Sequence, residues 1–125
     1  MLMLMVLKKA QERERHELRG NTLGILDLGS IGREVARLAN AFGVEILYHN
    51  RNRLSEAEED SLGVVYCSFD RLLTDSDVLS VHVPLTEETR GIIGKNEIAK
   101  MKDGAIIVNT ARKEVVDESA VFEAL

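Results

Sequence analysis

Thr22-Leu23-Gly24-Ile25-Leu26-Asp27-Leu28-Gly29-Ser30-Ile31-Gly32 is the stretch on which the fold turns. Its first seven residues form a near-continuous apolar run, the pattern of a strand buried on both faces of a parallel sheet. Gly29 to Gly32 reads as a turn. From Arg33 to Phe42, Val35, Ala36, Leu38, Ala39 and Phe42 fall at helical spacing, and Gly43 ends the pattern. A buried strand that feeds a helix through a glycine turn opens a βαβ unit.

The rest of the chain repeats that alternation. Further strands are expected at Val44–Tyr48, Val64–Cys67, Asp77–Val83 (stopped by Pro84) and Ala105–Asn109. Helical turns are expected at Phe69–Leu73 and Lys95–Met101, and a last helix over Asp117–Leu125 with Asp117 as its N-cap. Leu54–Leu62, with Glu56, Glu58, Glu59 and Asp60, reads as a solvated helix or loop and not as an acidic site. The fold class is therefore α/β: a doubly wound parallel sheet of about five strands with helices on both faces. Counted from Thr22, its expected order is 3-2-1-4-5. Residues 1–18 are read as one helix with an apolar Met/Leu start for core or interface packing and a charged end, broken by Gly20-Asn21. Residues 19–125 form the main domain.

Composition narrows the function classes. The chain has 125 residues, 45% hydrophobic and 30% charged, the balance of one soluble globular domain. A net charge of −5 argues against a nucleic-acid surface. No apolar run approaches the ~18–20 residues of a membrane helix, and Met1–Leu7 lacks the basic start of a signal peptide. Cys67 is the single cysteine, which excludes an internal disulfide and a cysteine-rich zinc site. No metal is expected, and the cytosol is the default compartment.

Ligands of such sheets bind at the carboxyl ends of the strands, where the winding reverses. At the end of the first strand, Asp27-Leu28-Gly29-Ser30-Ile31-Gly32 keeps two of the three glycines of a dinucleotide fingerprint. Gly29 would admit a pyrophosphate to the backbone, and Gly32 would let helix and strand pack closely. The N–H groups of Ser30 and Ile31 would face the phosphates. Asp27 stands where the first glycine belongs and brings a carboxylate toward the same phosphates. Without a nucleotide, the stretch is a plain strand–helix turn.

After the second strand, Asn50 replaces the acidic residue that an NAD-preferring site offers the ribose, and Arg51 and Arg53 suit a 2′-phosphate. The other reading pairs both arginines with the Glu56–Asp60 run. His82 ends the fourth strand without a nearby carboxylate to orient it and reads as structural. His16 and His49 read as surface residues, and Cys67 as a buried, inert thiol. Arg112, carried past the fifth strand, suits bidentate capture of a carboxylate, and equally a surface salt bridge.

Three stretches together resemble the NAD(P)-binding domain of the D-isomer-specific 2-hydroxyacid dehydrogenases. They are Leu23–Gly32; Ser76 through His82-Val83-Pro84-Leu85-Thr86 to Gly91; and Met101-Lys102-Asp103-Gly104-Ala105 through Asn109-Thr110-Ala111-Arg112 to Val116-Asp117-Glu118. Tyr48–Arg53 is most similar to the glyoxylate/hydroxypyruvate reductase branch. The resemblance implies reduction of small-molecule 2-oxoacids by hydride transfer, with NADP as cofactor and NAD as the alternative. It places Ser30 and Ile31 at the pyrophosphate and Asn50, Arg51 and Arg53 at the adenosine ribose. Val83, Pro84 and Thr89 would line the crevice, Thr110 and Ala111 the nicotinamide side, and Arg112 would orient the substrate. It also implies a homodimer, with the apolar Met1–Leu7 face and the open C-terminal sheet edge as further adhesive surfaces.

Two positions depart from the family pattern: Asp27, and Lys113 in place of the glycine usual after the arginine. The family's catalytic His and its Glu partner lie beyond a further strand–helix unit, whereas thirteen residues follow Arg112 and none is His. The chain alone is therefore expected to lack these groups and the substrate domain, and to be inactive. The alternative reading is a non-catalytic nucleotide-binding or self-associating remnant.

Overall fold

The computed structural model describes residues 3–6 and 21–124. In chain order the elements are β1 (Met3–Val6), β2 (Thr22–Leu26), α1 (Ser30–Asn40), β3 (Glu45–His49), α2 (Glu56–Leu62), β4 (Val65–Tyr66), α3 (Phe69–Asp75), β5 (Val78–Val81), α4 (Lys95–Lys100), β6 (Ile106–Asn109) and α5 (Glu118–Ala124). A 3-10 turn at Lys113–Val115 follows β6.

The strands form one six-stranded sheet in the order β1-β6-β5-β2-β3-β4. The five strands from β2 onward are parallel, with Ile25 opposite Tyr48 on one side and Ser80 on the other. Counted from Thr22 this is the expected 3-2-1-4-5 order.

The first strand departs from expectation. β1 lies antiparallel on the outer edge of β6, Met3 opposite Asn109 and Val6 opposite Ile106. The helix read over 1–18 is thus an edge strand at 3–6; the remainder of that stretch lies outside the described residues. A short apolar run suits a strand as well as a helix, and the deciding partner, the unpaired edge of β6, is remote in sequence. The same pairing covers the sheet edge that was expected to lie open after β6.

Alternation along the strands divides the core. Ile25, Ile46 and Tyr48 pack with Ala36 of α1 on one face. Leu26, Leu47, Leu79, Val81 and Ile107 pack on the other with Leu72 and Leu73 of α3, Ile98 of α4 and Val121 of α5. The central strands β2 and β3 are covered by α1 on one face and α3 on the other, as their apolar sequences require.

Local signals set the helix ends. Ser55 opens α2 in a reciprocal capping box with Glu58, which settles the helix-or-loop alternative for this stretch. Asp117 caps α5, its Oδ1 accepting from the N–H groups of Ser119 (3.0 Å) and Ala120 (3.4 Å). β5 ends at Val81, two residues short of expectation, because the chain turns out of the sheet toward Pro84, which has no N–H to donate.

Candidate functional site

The carboxyl ends of β2, β3, β5 and β6 share one end of the sheet, and the segments that follow them carry Gly29–Gly32, Asn50, Arg51, Arg53, Val83, Pro84, Thr89 and Thr110–Arg112. At the end of β2, Asp27 takes a left-handed backbone, φ 73°. A first glycine would adopt this conformation freely; Asp is among the few other residues that tolerate it. Gly32 sits so close to this turn that a Cβ would lie 2.9 Å from the Asp27 carbonyl oxygen. Gly29 is the opposite case: a Cβ there would meet only Asp27 Oδ2, at 4.0 Å. α1 begins at Ser30 with no side-chain cap and no acidic residue in its first turn. The space outside Gly29 thus faces uncapped helix N–H groups, a site suited to an anion. The Asp27 carboxylate lies beside it. Ser30 and Ile31 are exposed there.

At the end of β3, Asn50 turns inward. Its Oδ1 accepts the Leu28 N–H at 2.6 Å and ties the turn after β2 to the end of β3. Arg53 binds Glu59 through two bonds of 3.0 Å, Nε to Oε2 and NH2 to Oε1, and lies 5.1 Å from the centre of the Tyr66 ring. Glu59 is buried, against the expectation of a wholly solvated acidic run. It also accepts the Tyr48 hydroxyl, whose oxygen accepts the Leu54 N–H at 3.0 Å. The bond from Arg53 and then that from Tyr48 hold the Glu59 carboxyl below its ordinary range. Burial, reinforced by Glu59, pushes the Tyr48 phenol up to about 12. The pairing with the acidic run therefore holds for Arg53. Arg51 instead reaches from the loop after β3 to Glu88 in the loop after β5, 3.5 Å away, and both are largely exposed.

Val83 is buried and Pro84 exposed at the exit of β5. Thr89 folds back on that loop: its hydroxyl donates to the Pro84 carbonyl and accepts the Thr86 N–H at 2.8 Å. His82 is engaged at both ring nitrogens, Nδ1 with Thr110 Oγ1 at 2.6 Å and Nε2 with Ser80 Oγ at 2.7 Å. Thr110 Oγ1 also donates to the Val81 carbonyl at 3.1 Å, so the same hydroxyl ties the ring to β5. Burial lowers the His82 pKa, opposed by the Asp27 charge. The ring is a neutral brace between β5 and β6. His49, expected at the surface, is half-buried, with Nδ1 2.9 Å from the Cys67 carbonyl. Cys67 is buried, and burial raises its thiol pKa.

Beyond β6, Ala111 is half-buried and Arg112 exposed, and among the described residues the guanidinium has no ion-pair partner. Asn109, fully buried, bonds the backbone of this loop through both ends of its amide. No sequence signal distinguished it from the apolar strand that it ends. Among the described residues no His, Cys, Asp and Glu cluster fit to hold a metal occurs, and no helix is long and apolar enough to cross a membrane.

Residues 4–125 match the D-isomer specific 2-hydroxyacid dehydrogenase, NAD binding domain. The chain belongs to the D-isomer-specific 2-hydroxyacid dehydrogenase family. It is 52% identical over 109 residues to a glyoxylate reductase of Aeropyrum pernix, covering 87% of this chain and 32% of that protein. It is 50% identical over 107 residues to a hydroxypyruvate reductase of Thermotoga maritima, covering 86% and 34%. Among solved structures it is similar to a glyoxylate reductase from Paecilomyes thermophila, with TM-score 0.83 and 57% identity over 88% of this chain and 33% of that one. A D-lactate dehydrogenase with NAD+ from Lactobacillus jensenii gives TM-score 0.81 and 37% identity over 87% and 32%. The chain thus spans about a third of the length of these family members. In this family's NAD-binding domain the turn after β2 fits a dinucleotide on its own geometry: open space at Gly29, none at Gly32, and an uncapped α1.

Proposed function

We propose that this chain is the cofactor-binding part of an NADPH-preferring reductase of glyoxylate- or hydroxypyruvate-type 2-oxoacids, yielding D-2-hydroxyacids. The observation that carries the reading is the turn between β2 and α1, where Gly29 leaves room against uncapped N–H groups. Ser30 and Ile31 would hold the pyrophosphate there. Bound NADPH supplies the hydride. Arg51 is the arginine for the 2′-phosphate, since Arg53 is committed to Glu59. Asn50 serves the same end indirectly, by bracing the phosphate turn. Val83, Pro84 and the loop folded by Thr89 form the crevice wall, with Thr110 and Ala111 opposite. Arg112 has the free guanidinium needed to take a substrate carboxylate in two parallel bonds. His82 does not serve as a proton donor in this reading, because both its nitrogens are engaged.

Titration with NADPH and NADH, followed by nicotinamide fluorescence or calorimetry, tests this. Arg51→Ala is expected to weaken NADPH about five- to tenfold and to leave NADH unchanged. No binding of either cofactor at millimolar concentration overturns the reading.

Self-association is the second element, in a cytosolic setting. Ile31 and Leu38 of α1 and Phe42 just after it, each about 60% exposed, recur at helical spacing. This stripe takes the place of the sheet edge as the surface for a homodimer. Sedimentation equilibrium is expected to give a dimer that Phe42→Glu disrupts; a monomer at high concentration rejects it.

A further inference from the structure

Arg112 can orient a carboxylate only if the three residues after β6 hold a fixed path. Three sets of bonds fix it. Thr110 donates both its N–H and its hydroxyl to the Val81 carbonyl, each at 3.1 Å. The Val115 N–H donates to the Arg112 carbonyl at 3.1 Å. Between these anchors the Asn109 side chain reaches over the loop. Its Oδ1 accepts the Ala111 N–H at 2.9 Å, and its Nδ2 donates to the Arg112 carbonyl at 3.2 Å. The partners decide the amide's orientation: an N–H needs the oxygen and a carbonyl needs the nitrogen.

Asn109 is fully buried at the last position of β6, opposite Val81. An apolar residue would fill that place without loss of hydration, whereas a buried amide is tolerated only when its bonds are made. Both described bonds go to the backbone that carries Arg112, and the guanidinium itself stays exposed. We propose that Asn109 is the positioning residue for Arg112: its buried amide sets the direction of the arginine that takes the carboxylate. The inference rests on the carboxylate-binding reading of Arg112.

Asn109→Asp separates positioning from folding. The carboxylate keeps the volume and still accepts the Ala111 N–H, but it cannot donate to the Arg112 carbonyl, which it repels. When protonated it can donate again. The measurements are amide hydrogen exchange at Ala111 and at Val115, whose N–H donates to the Arg112 carbonyl, and calorimetric titration with oxamate in the presence of NADPH. Oxamate presents a carboxylate beside a carbonyl without being reducible. At neutral pH the variant is expected to bind oxamate about tenfold more weakly, with NADPH affinity unchanged. Relative to the unaltered chain at each pH, binding is expected to recover as the pH falls and the introduced carboxylate takes up a proton. A loss that does not recover, or oxamate affinity equal to that of the unaltered chain while exchange at Val115 has accelerated, overturns the proposal. If the unaltered chain binds no oxamate, or Arg112→Ala binds it equally well, the carboxylate reading of Arg112 falls and the inference falls with it. Asn109→Ser, which retains an acceptor of smaller reach, guards against misfolding of the Asp variant. It is expected to lose oxamate affinity without pH recovery, and unchanged affinity in it also counts against the proposal.

Discussion

Asp27 puts two separable costs at one position, and substitution can resolve them. Its left-handed backbone costs a non-glycine residue about 1 kcal/mol, which Asp27→Gly recovers. Glycine in turn frees the unfolded chain by about 0.4–1 kcal/mol, so the net change in folding stability is expected to lie within about 0.5 kcal/mol of zero. The larger effect is electrostatic. Asp27 Oδ2 lies 4.0 Å from the point where a Cβ on Gly29 would sit, and Gly29 is the opening proposed for the pyrophosphate. A phosphate there would be about 5 Å from the carboxylate, a repulsion of about 0.8 kcal/mol in bulk water and about 3 kcal/mol at an effective dielectric of 20. Gly29 is exposed, which favours the lower end, so removing the charge should tighten cofactor binding about fourfold. Asp27→Asn removes the charge and keeps a residue that tolerates the left-handed backbone. It should therefore capture nearly all the gain seen with Asp27→Gly. Calorimetry with NADPH at low and high salt reads both effects, and the gain should shrink as salt screens it. If neither variant binds more tightly, the carboxylate does not face the phosphates and the assigned repulsion does not exist.

Other expectations follow from the same geometry. Folding lowers the His82 pKa, so the neutral ring's contribution is complete above the unfolded value near 6.5 and is lost as pH falls toward the folded value. Melting curves between pH 7 and 5 should show this slope, at most ~1.4 kcal/mol per pH unit for one proton, and His82→Gln should flatten it. Glu59→Gln should lower the melting temperature by several degrees at neutral pH, and Glu58→Gln by much less, because only Glu59 joins Tyr48, Arg53 and the backbone beyond β3. The carboxyl of Glu59 is held low, so this difference should vanish as acid protonates it. Glu88→Gln should free Arg51 and raise NADPH affinity about two- to threefold, with NADH affinity unchanged.

The parallel core was readable because each of its strands announces itself locally. Thr22–Leu28 is a near-continuous apolar run, Gly43 and Pro84 mark ends, and Ser55 with Glu58 spells a cap. The Gly29–Gly32 turn was readable for the same reason: its glycines are needed by contacts within one βα unit. What escaped depends on distant partners. Met3–Val6 looks helical until β6 offers an edge. Glu59 looks solvated within its acidic run, because nothing local reveals that Tyr48 and Arg53 converge on it. Asn50 suits a ribose by position, yet its oxygen is taken by Leu28. Asn109 carries no mark of its own, since its importance lies in the path of the three residues after it.

The pairing of β1 with β6 has a bearing on the order of assembly. Its partners lie about a hundred residues apart, and such non-local contacts close slowly. During synthesis the β2–β5 layers can form while Met3–Val6 still awaits Ile106–Asn109. β1 is therefore the last of the six strands to find its place, and until then its apolar segment lacks the edge it pairs with. A chaperone or a neighbouring nascent chain would meet that segment before β6 does. The yield of native protein should accordingly respond to expression rate and temperature more strongly than equilibrium stability alone would dictate.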